Sequence, residues 1–178
     1  MSSKILVAYA TETGSTEGVA MAIGETLREL GAEVEVRLMV DTPDISEYDA
    51  VVAGSAIQGG KWLPHAMDWV STHQEALNQK PFAAFLVSLT MAMKGEHAAD
   101  NASSFLDPVR AIVPTVSEGL FAGMLDLSKI PKDKGRWGFR MSTWLGVWKE
   151  GDHRDWDKIR AWAEEIYPLL ASTPEHSD

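Results

Sequence analysis

One junction near the amino terminus limits the fold of this chain more than any other: an apolar run turns through a hydroxyl-rich loop into an amphipathic helix. Ile5-Leu6-Val7-Ala8 has the length and composition of a buried strand, and Tyr9-Ala10-Thr11-Glu12-Thr13-Gly14-Ser15-Thr16 follows it. Val19, Ala22, Ile23, Thr26, Leu27 and Leu30 then recur at helical spacing on one face. The first amides of such a helix have no partner within it, and its dipole places partial positive charge at the same point. A loop of this kind can bind an anion without supplying a cation.

The alternation continues. Gly31 ends the helix, and Ala32 to Leu38 alternates like a half-exposed edge strand. Asp49 to Ser55 is a short strand, Trp62, Ala66, Met67, Trp69 and Val70 mark a second helix with Pro64 in its first turn, and Pro81 to Ser88 is an apolar strand covered on both faces. Ala98 to Val113 is helical with an interruption at Pro108, Val116 to Met124 is the fifth strand, and Asp155 caps a last helix carrying Trp156, Ile159, Trp162, Ala163, Ile166 and Leu170 on one face. Five strands alternating with helices predict an α/β protein with a parallel, doubly wound sheet. Residues 1–178 are expected to form one domain, with 125–150 an insertion where such a fold needs only about 2–6 linking residues. Ser172 to Asp178 reads as a polar tail.

Composition excludes several classes of function. A formal net charge of −10 disfavours nucleic-acid binding, which needs a basic surface. With no cysteine there is no disulfide, thiolate metal site, iron–sulfur cluster or thiol nucleophile, so redox chemistry would have to come from a bound cofactor. No metal centre is read, and His65, His73, His97, His153 and His176 are scattered, so no catalytic residue is named. The amino-terminal run is too short for a signal peptide and no stretch approaches the ~20 apolar residues of a spanning helix. A cytoplasmic protein is expected, with peripheral contact at the inner face of the membrane left open.

Three loops fall at the carboxyl ends of the first, third and fourth strands: Thr11 to Thr16, Ser55 to Trp62 and Ser88 to Glu96. The first resembles the Thr-x-Thr-Gly-x-Thr phosphate loop of flavodoxins, with Ser15 where asparagine is common. Flavodoxins are themselves the standard illustration of ligands bound at the carboxyl edge of a parallel sheet, so that placement follows from the resemblance. It implies a flavodoxin-like strand order of 2-1-3-4-5, helices on both faces, and FMN as cofactor. The cofactor-binding residues it implies are Thr11, Glu12, Thr13, Gly14, Ser15 and Thr16, then Ser55, Ala56, Ile57, Gln58, Gly59, Gly60, Lys61 and Trp62, then Ser88, Leu89, Thr90 and Met91. Gly54 to Trp62, Val87 to Thr90, Gly119 to Gly123 and Arg154-Asp155-Trp156 further resemble the flavodoxin-like protoporphyrinogen oxidases that pass electrons to menaquinone.

Each loop also has a plainer reading. The first could be a strand-to-helix turn capped by a hydroxyl, but Thr11, Thr13, Ser15 and Thr16 around Gly14 exceed what one cap requires. It lacks the lysine of a Gly-Lys-Thr nucleotide loop, and the clustered aspartates of a phosphoacceptor domain are missing. In flavodoxins a peptide of the second loop turns over on reduction, which the resemblance assigns to Gln58 to Lys61; otherwise Gly59 and Gly60 simply serve a tight turn. Trp62 either stacks on the flavin or begins the core of the second helix, and Lys61 either stabilises reduced flavin or is solvated surface. In the third loop Leu89, Met91, Met93 and Lys94 precede any acid, Glu96 being the first, which by Coulomb reasoning tolerates a negatively charged reduced flavin.

The insertion reverses the charge of the chain: Lys129, Lys132, Lys134, Arg136, Arg140 and Lys149 outnumber Asp126, Asp133 and Glu150. Trp137, Met141, Trp144, Leu145 and Trp148 share a helical face, although Gly135, Gly138 and Gly146 weaken the helix. That face is either a peripheral membrane contact through 129–149, a lid over a flat apolar substrate, or a surface packed on the domain or on a second copy in a homodimer. The function expected is FMN-mediated electron transfer from a reduced, protoporphyrinogen-like substrate to a quinone or other acceptor. The alternative is a non-catalytic electron carrier that docks a redox protein through its acidic face.

Overall fold

The computed structural model describes residues 2–92, 98–129, 138, 140–141, 144–146 and 149–171. Strands β1 (Lys4–Ala10), β2 (Glu33–Leu38), β3 (Ala50–Gln58), β5 (Phe82–Ser88) and β6 (Ser117–Ala122) form a parallel sheet in the order β2-β1-β3-β5-β6. This is the 2-1-3-4-5 order of a flavodoxin-like sheet, the two-residue strand β4 (Lys61–Trp62) lying off the main path. The helices are α1 (Ser15–Glu29), α2 (Pro64–Thr72), α3 (Gln74–Leu77), α4 (Ala98–Ser104), α5 (Asp107–Arg110) and α6 (Trp156–Ala171).

Alternation along the strands divides the core in two. Ile5, Val7 and Tyr9 join Val19, Ile23 and Leu27 of α1 and Ile159, Trp162 and Ile166 of α6, whereas Leu6, Ala8 and Ala10 join Trp69 and Val70 of α2 with Ala102, Leu106 and Val109. Strand β5 is buried along its whole length, as a central parallel strand covered on both faces must be. Across the first layer Trp162 meets Phe85 and Phe121 edge to face and Phe85 is tilted on Phe121, with ring centroids 5.5–6.3 Å apart.

Several boundaries differ from the sequence expectation. Strand β3 runs on to Gln58 and folds back as a hairpin, pairing Ile57 with Trp62 and Gln58 with Lys61. Gly59 and Gly60 make its turn at φ 59° and 75°, a region that favours glycine. The second helix therefore starts at Pro64, after Trp62 has been drawn into the hairpin. The fifth strand stops at Ala122, and Met124–Leu125 forms β7, which pairs antiparallel with β8 (Gly151–Asp152). These two short strands bring together the two ends of the segment 126–150. Among the described residues no helix is long and apolar enough to cross a membrane.

Candidate functional site

A cavity of about 280 Å³ opens at the carboxyl ends of β1, β3, β5 and β6. Its walls are Glu12, Thr13 and Ser15 from the first loop, Ala56, Ile57, Gln58, Gly59 and Leu63 from the β3–β4 hairpin, Val87 and Leu89 at the end of β5, and Gly123, Met124, Leu125 and Asp126 beyond β6.

The first loop is built to leave donors free. Gly14 stands at the N-cap of α1 with φ 87°, and no side chain caps the helix. Its own amide donates to Thr11 Oγ1 (3.0 Å), which closes the loop upon itself. The Ser15 hydroxyl is turned aside to accept the amide of Met124 (3.0 Å). Thr16 is fully buried, and among the described residues its Oγ1 has no hydrogen-bond partner. An orphaned buried hydroxyl costs about 1–3 kcal/mol, and uncapped amides of a first turn add their own unmet donors. An anion with several acceptor oxygens would satisfy both; a phosphate monoester fits this chemistry.

Other predicted positions support the walls from behind. Ser55 is buried, with Oγ accepting the Leu63 amide (3.0 Å) and donating to the Ala56 carbonyl (2.8 Å), so it pins the hairpin at its base. Ser88 Oγ accepts the Thr90 amide (3.1 Å) at the start of a 3₁₀ turn over Leu89–Ala92, and Met91 packs against the core. Gly60 faces Phe105, Lys61 is exposed and Trp62 is 3% exposed within the second core layer. Met93, Lys94, Glu96 and His97 lie outside the described residues, as do Trp137, Trp148 and 172–178.

Leu63, Val87, Gly123, Met124, Leu125 and Asp126 also line the cavity, although only three strand ends were expected to. For Gly123 the stretch Gly119 to Gly123 carries the signal, since a fifth parallel strand ends on the same edge. Gly123 allows this closeness: a Cβ there would lie 3.1 Å from both Ser15 Oγ and Val87 Cγ1.

The rim is acidic. Gln58 Nε2 donates to Glu12 (3.4 Å) across the mouth between two loops. The Ser128 hydroxyl and amide hold the Asp126 carboxyl below the ordinary carboxylate value, so it is charged at neutral pH. Among the described residues no basic side chain lines the cavity. The carboxylates thus come from the first loop, where Glu12 was expected beside the cofactor, and from the start of the insertion, where Asp126 was read only as part of its charge balance.

A family model described as a flavodoxin domain matches residues 6–133. Protoporphyrinogen IX dehydrogenase (quinone) of Escherichia coli K12 is 30% identical over 104 residues, 57% of this chain and 57% of that protein. The chain thus spans little more than half the length of the curated relatives it matches. Among solved structures, oxidised flavodoxin 2 from Bacillus cereus aligns with a TM-score of 0.58 at 23% identity, covering 93% of this chain and 99% of that one. A Fusobacterium nucleatum flavodoxin variant bound to flavin mononucleotide aligns with a TM-score of 0.57 at 15% identity, covering 96% and 98% respectively. These two likenesses concern the fold.

Proposed function

Because this chain belongs to the flavodoxin domain family, we propose that it binds FMN in the cavity at the carboxyl edge of the sheet and works as a flavin-dependent redox protein. The observation that carries the reading is the buried, unpartnered Thr16 Oγ1 beside the uncapped first turn of α1. Thr13 and Ser15 of the wall, Thr16 buried behind them and the first amides of α1 would hold the phosphate, and the apolar Ala56, Ile57, Leu63 and Leu89 would cover a planar ring. When bound, FMN supplies the electron-transfer chemistry, taking and releasing electrons singly or in pairs. The chain's own part is to orient it, exclude water from one side and set the local potential. Gly59 and Gly60 leave the Gln58–Lys61 backbone free to reorient, and Gly60→Ala, strained and pressed on Phe105, is expected to shift the midpoint potentials.

The donor we propose is a reduced porphyrin-like substrate and the acceptor a quinone. The support is the resemblance to protoporphyrinogen IX dehydrogenase together with the character of the insertion. Trp144 and Leu145 are 80% and 64% exposed, and Arg140 and Lys149 accompany them. This apolar and basic pair of features suits an anionic membrane surface, where a quinone resides. The carrier reading is favoured by a different fact, the −10 charge that would steer a basic redox protein.

The test is to titrate the full chain with FMN by quenching of flavin fluorescence, reduce it anaerobically and offer a quinone. Binding followed by reoxidation is expected; failure to bind FMN overturns the reading. Bound FMN reoxidised by redox proteins but not by quinones selects the carrier. Sedimentation with vesicles containing anionic lipid, lowered by Trp144→Ala, is expected of the membrane contact, and equal sedimentation of the two proteins would overturn it.

A further inference from the structure

Among the described residues the walls of the proposed phosphate site include the carboxylates Glu12 and Asp126 and no cation. A cation does approach it from behind. Arg154, between β8 and α6, has only 13% of its side chain exposed, and its Nη1 donates to the carbonyl of Ser15 (3.3 Å) in the first turn of α1. Its Nε and Nη2 bind Asp152 (2.8 and 2.6 Å), and its guanidinium lies 4.5 Å from the centroid of the Trp156 ring. Asp152 is the more exposed member, at 41%. Asp152 is thus the more solvated member of the pair, and the guanidinium is the member that contacts the helix end.

The guanidinium also comes close to Gly18. A Cβ there would fall 2.5 Å from Arg154 Nη1 and 3.4 Å from Trp156 Cη2. Glycine inside a helix costs about 1 kcal/mol relative to alanine, and Gly18 has no need of an unusual backbone angle. What its missing side chain does provide is space for the arginine.

Resting on the reading that the cavity takes FMN, we propose that Arg154 is a positioning residue for the flavin phosphate, seated by Gly18 and Trp156. It does not line the cavity. Instead it fixes the first turn of α1 through the Ser15 carbonyl and lends that turn a positive charge that no described residue of the wall supplies. Ser15 is also the acceptor for Met124, so the same residue joins the phosphate loop to the base of the insertion.

The test compares FMN with riboflavin, which has the same ring and no phosphate, by fluorescence titration of the full chain at two salt concentrations. Arg154→Met is expected to weaken FMN about tenfold, to leave riboflavin within about twofold, and to flatten the salt dependence of FMN binding. Arg154→Lys keeps the charge and should recover part of the loss. Gly18→Ala should displace the guanidinium and weaken FMN in the same direction, without lowering the unfolding temperature. Equal weakening of both flavins by Arg154→Met would make the residue merely structural and overturn the proposal, as would unchanged FMN binding. If Arg154→Met does not fold, Arg154→Lys and Gly18→Ala decide by the same ratio. A preference of the wild type for FMN over riboflavin that survives Arg154→Met unchanged overturns this proposal alone; wild-type protein without that preference, or that binds neither flavin, overturns the FMN reading beneath it.

Discussion

Gly54 in β3 owes its identity to the ring of Phe85 on the neighbouring strand. A Cβ at position 54 would sit inside that ring, which Phe121 and Trp162 prevent from moving away. Gly54→Ala is therefore expected to destabilise the protein by about 1–3 kcal/mol in denaturant unfolding, and Phe85→Leu in the same chain to return part of the loss. Tyr48 presents a different single-residue effect. Burial, aided by its hydrogen bond to Glu35 (2.9 Å), pushes its hydroxyl up to about 12 from an ordinary value near 10. Because the folded state favours the neutral phenol, its contribution to stability is complete below pH about 10 and is lost as the pH rises through about 12. Burial raises Tyr9 as well, so tyrosinate absorbance should show a late-ionising component that loses its step near pH 12 in Tyr48→Phe.

At the scale of elements, α6 starts where the sequence says it should. The Asp155 carboxylate accepts the amide of Lys158 (3.1 Å), and Asp155→Ala should cost about 1 kcal/mol in thermal unfolding, with flavin affinity little changed. Helices and buried strands were legible because each carries its own period and its own stop: Gly31 after α1, Pro108 opening α5, the unbroken apolar run of β5. The β3–β4 hairpin was not, because two residues of strand leave no periodicity to read and Trp62 suits a helix equally well. Of the site, the loop around Gly14 was legible through its density of hydroxyls. The stretch 123–126 was not, since nothing local in Gly123-Met124-Leu125-Asp126 shows that pairing with 151–152 will hold it against Ser15.

For the molecule as a whole, the cavity exists only in the folded state, being assembled from four separate strand ends. FMN should therefore raise the unfolding temperature in proportion to the logarithm of its concentration, by the equivalent of about 2.7 kcal/mol at a hundred times its dissociation constant. Riboflavin at the same multiple should act alike, whereas at equal concentration it should act less.

The sheet order also governs how the chain arrives at this state. Every pairing in the main sheet is parallel, so none can be closed by a tight turn, and β1 must wait for partners made after it on both sides. Trp162, which closes the layer over Phe85 and Phe121, comes later still. A nascent chain emerging from the ribosome thus carries β5, apolar from Phe82 to Val87, before α6 exists to cover it. High contact order of this kind slows folding and prolongs the exposure of sticky strands. During synthesis the window of risk is the interval between β5 and α6, and that is the interval in which a chaperone that shields apolar segments would be of most use to this protein.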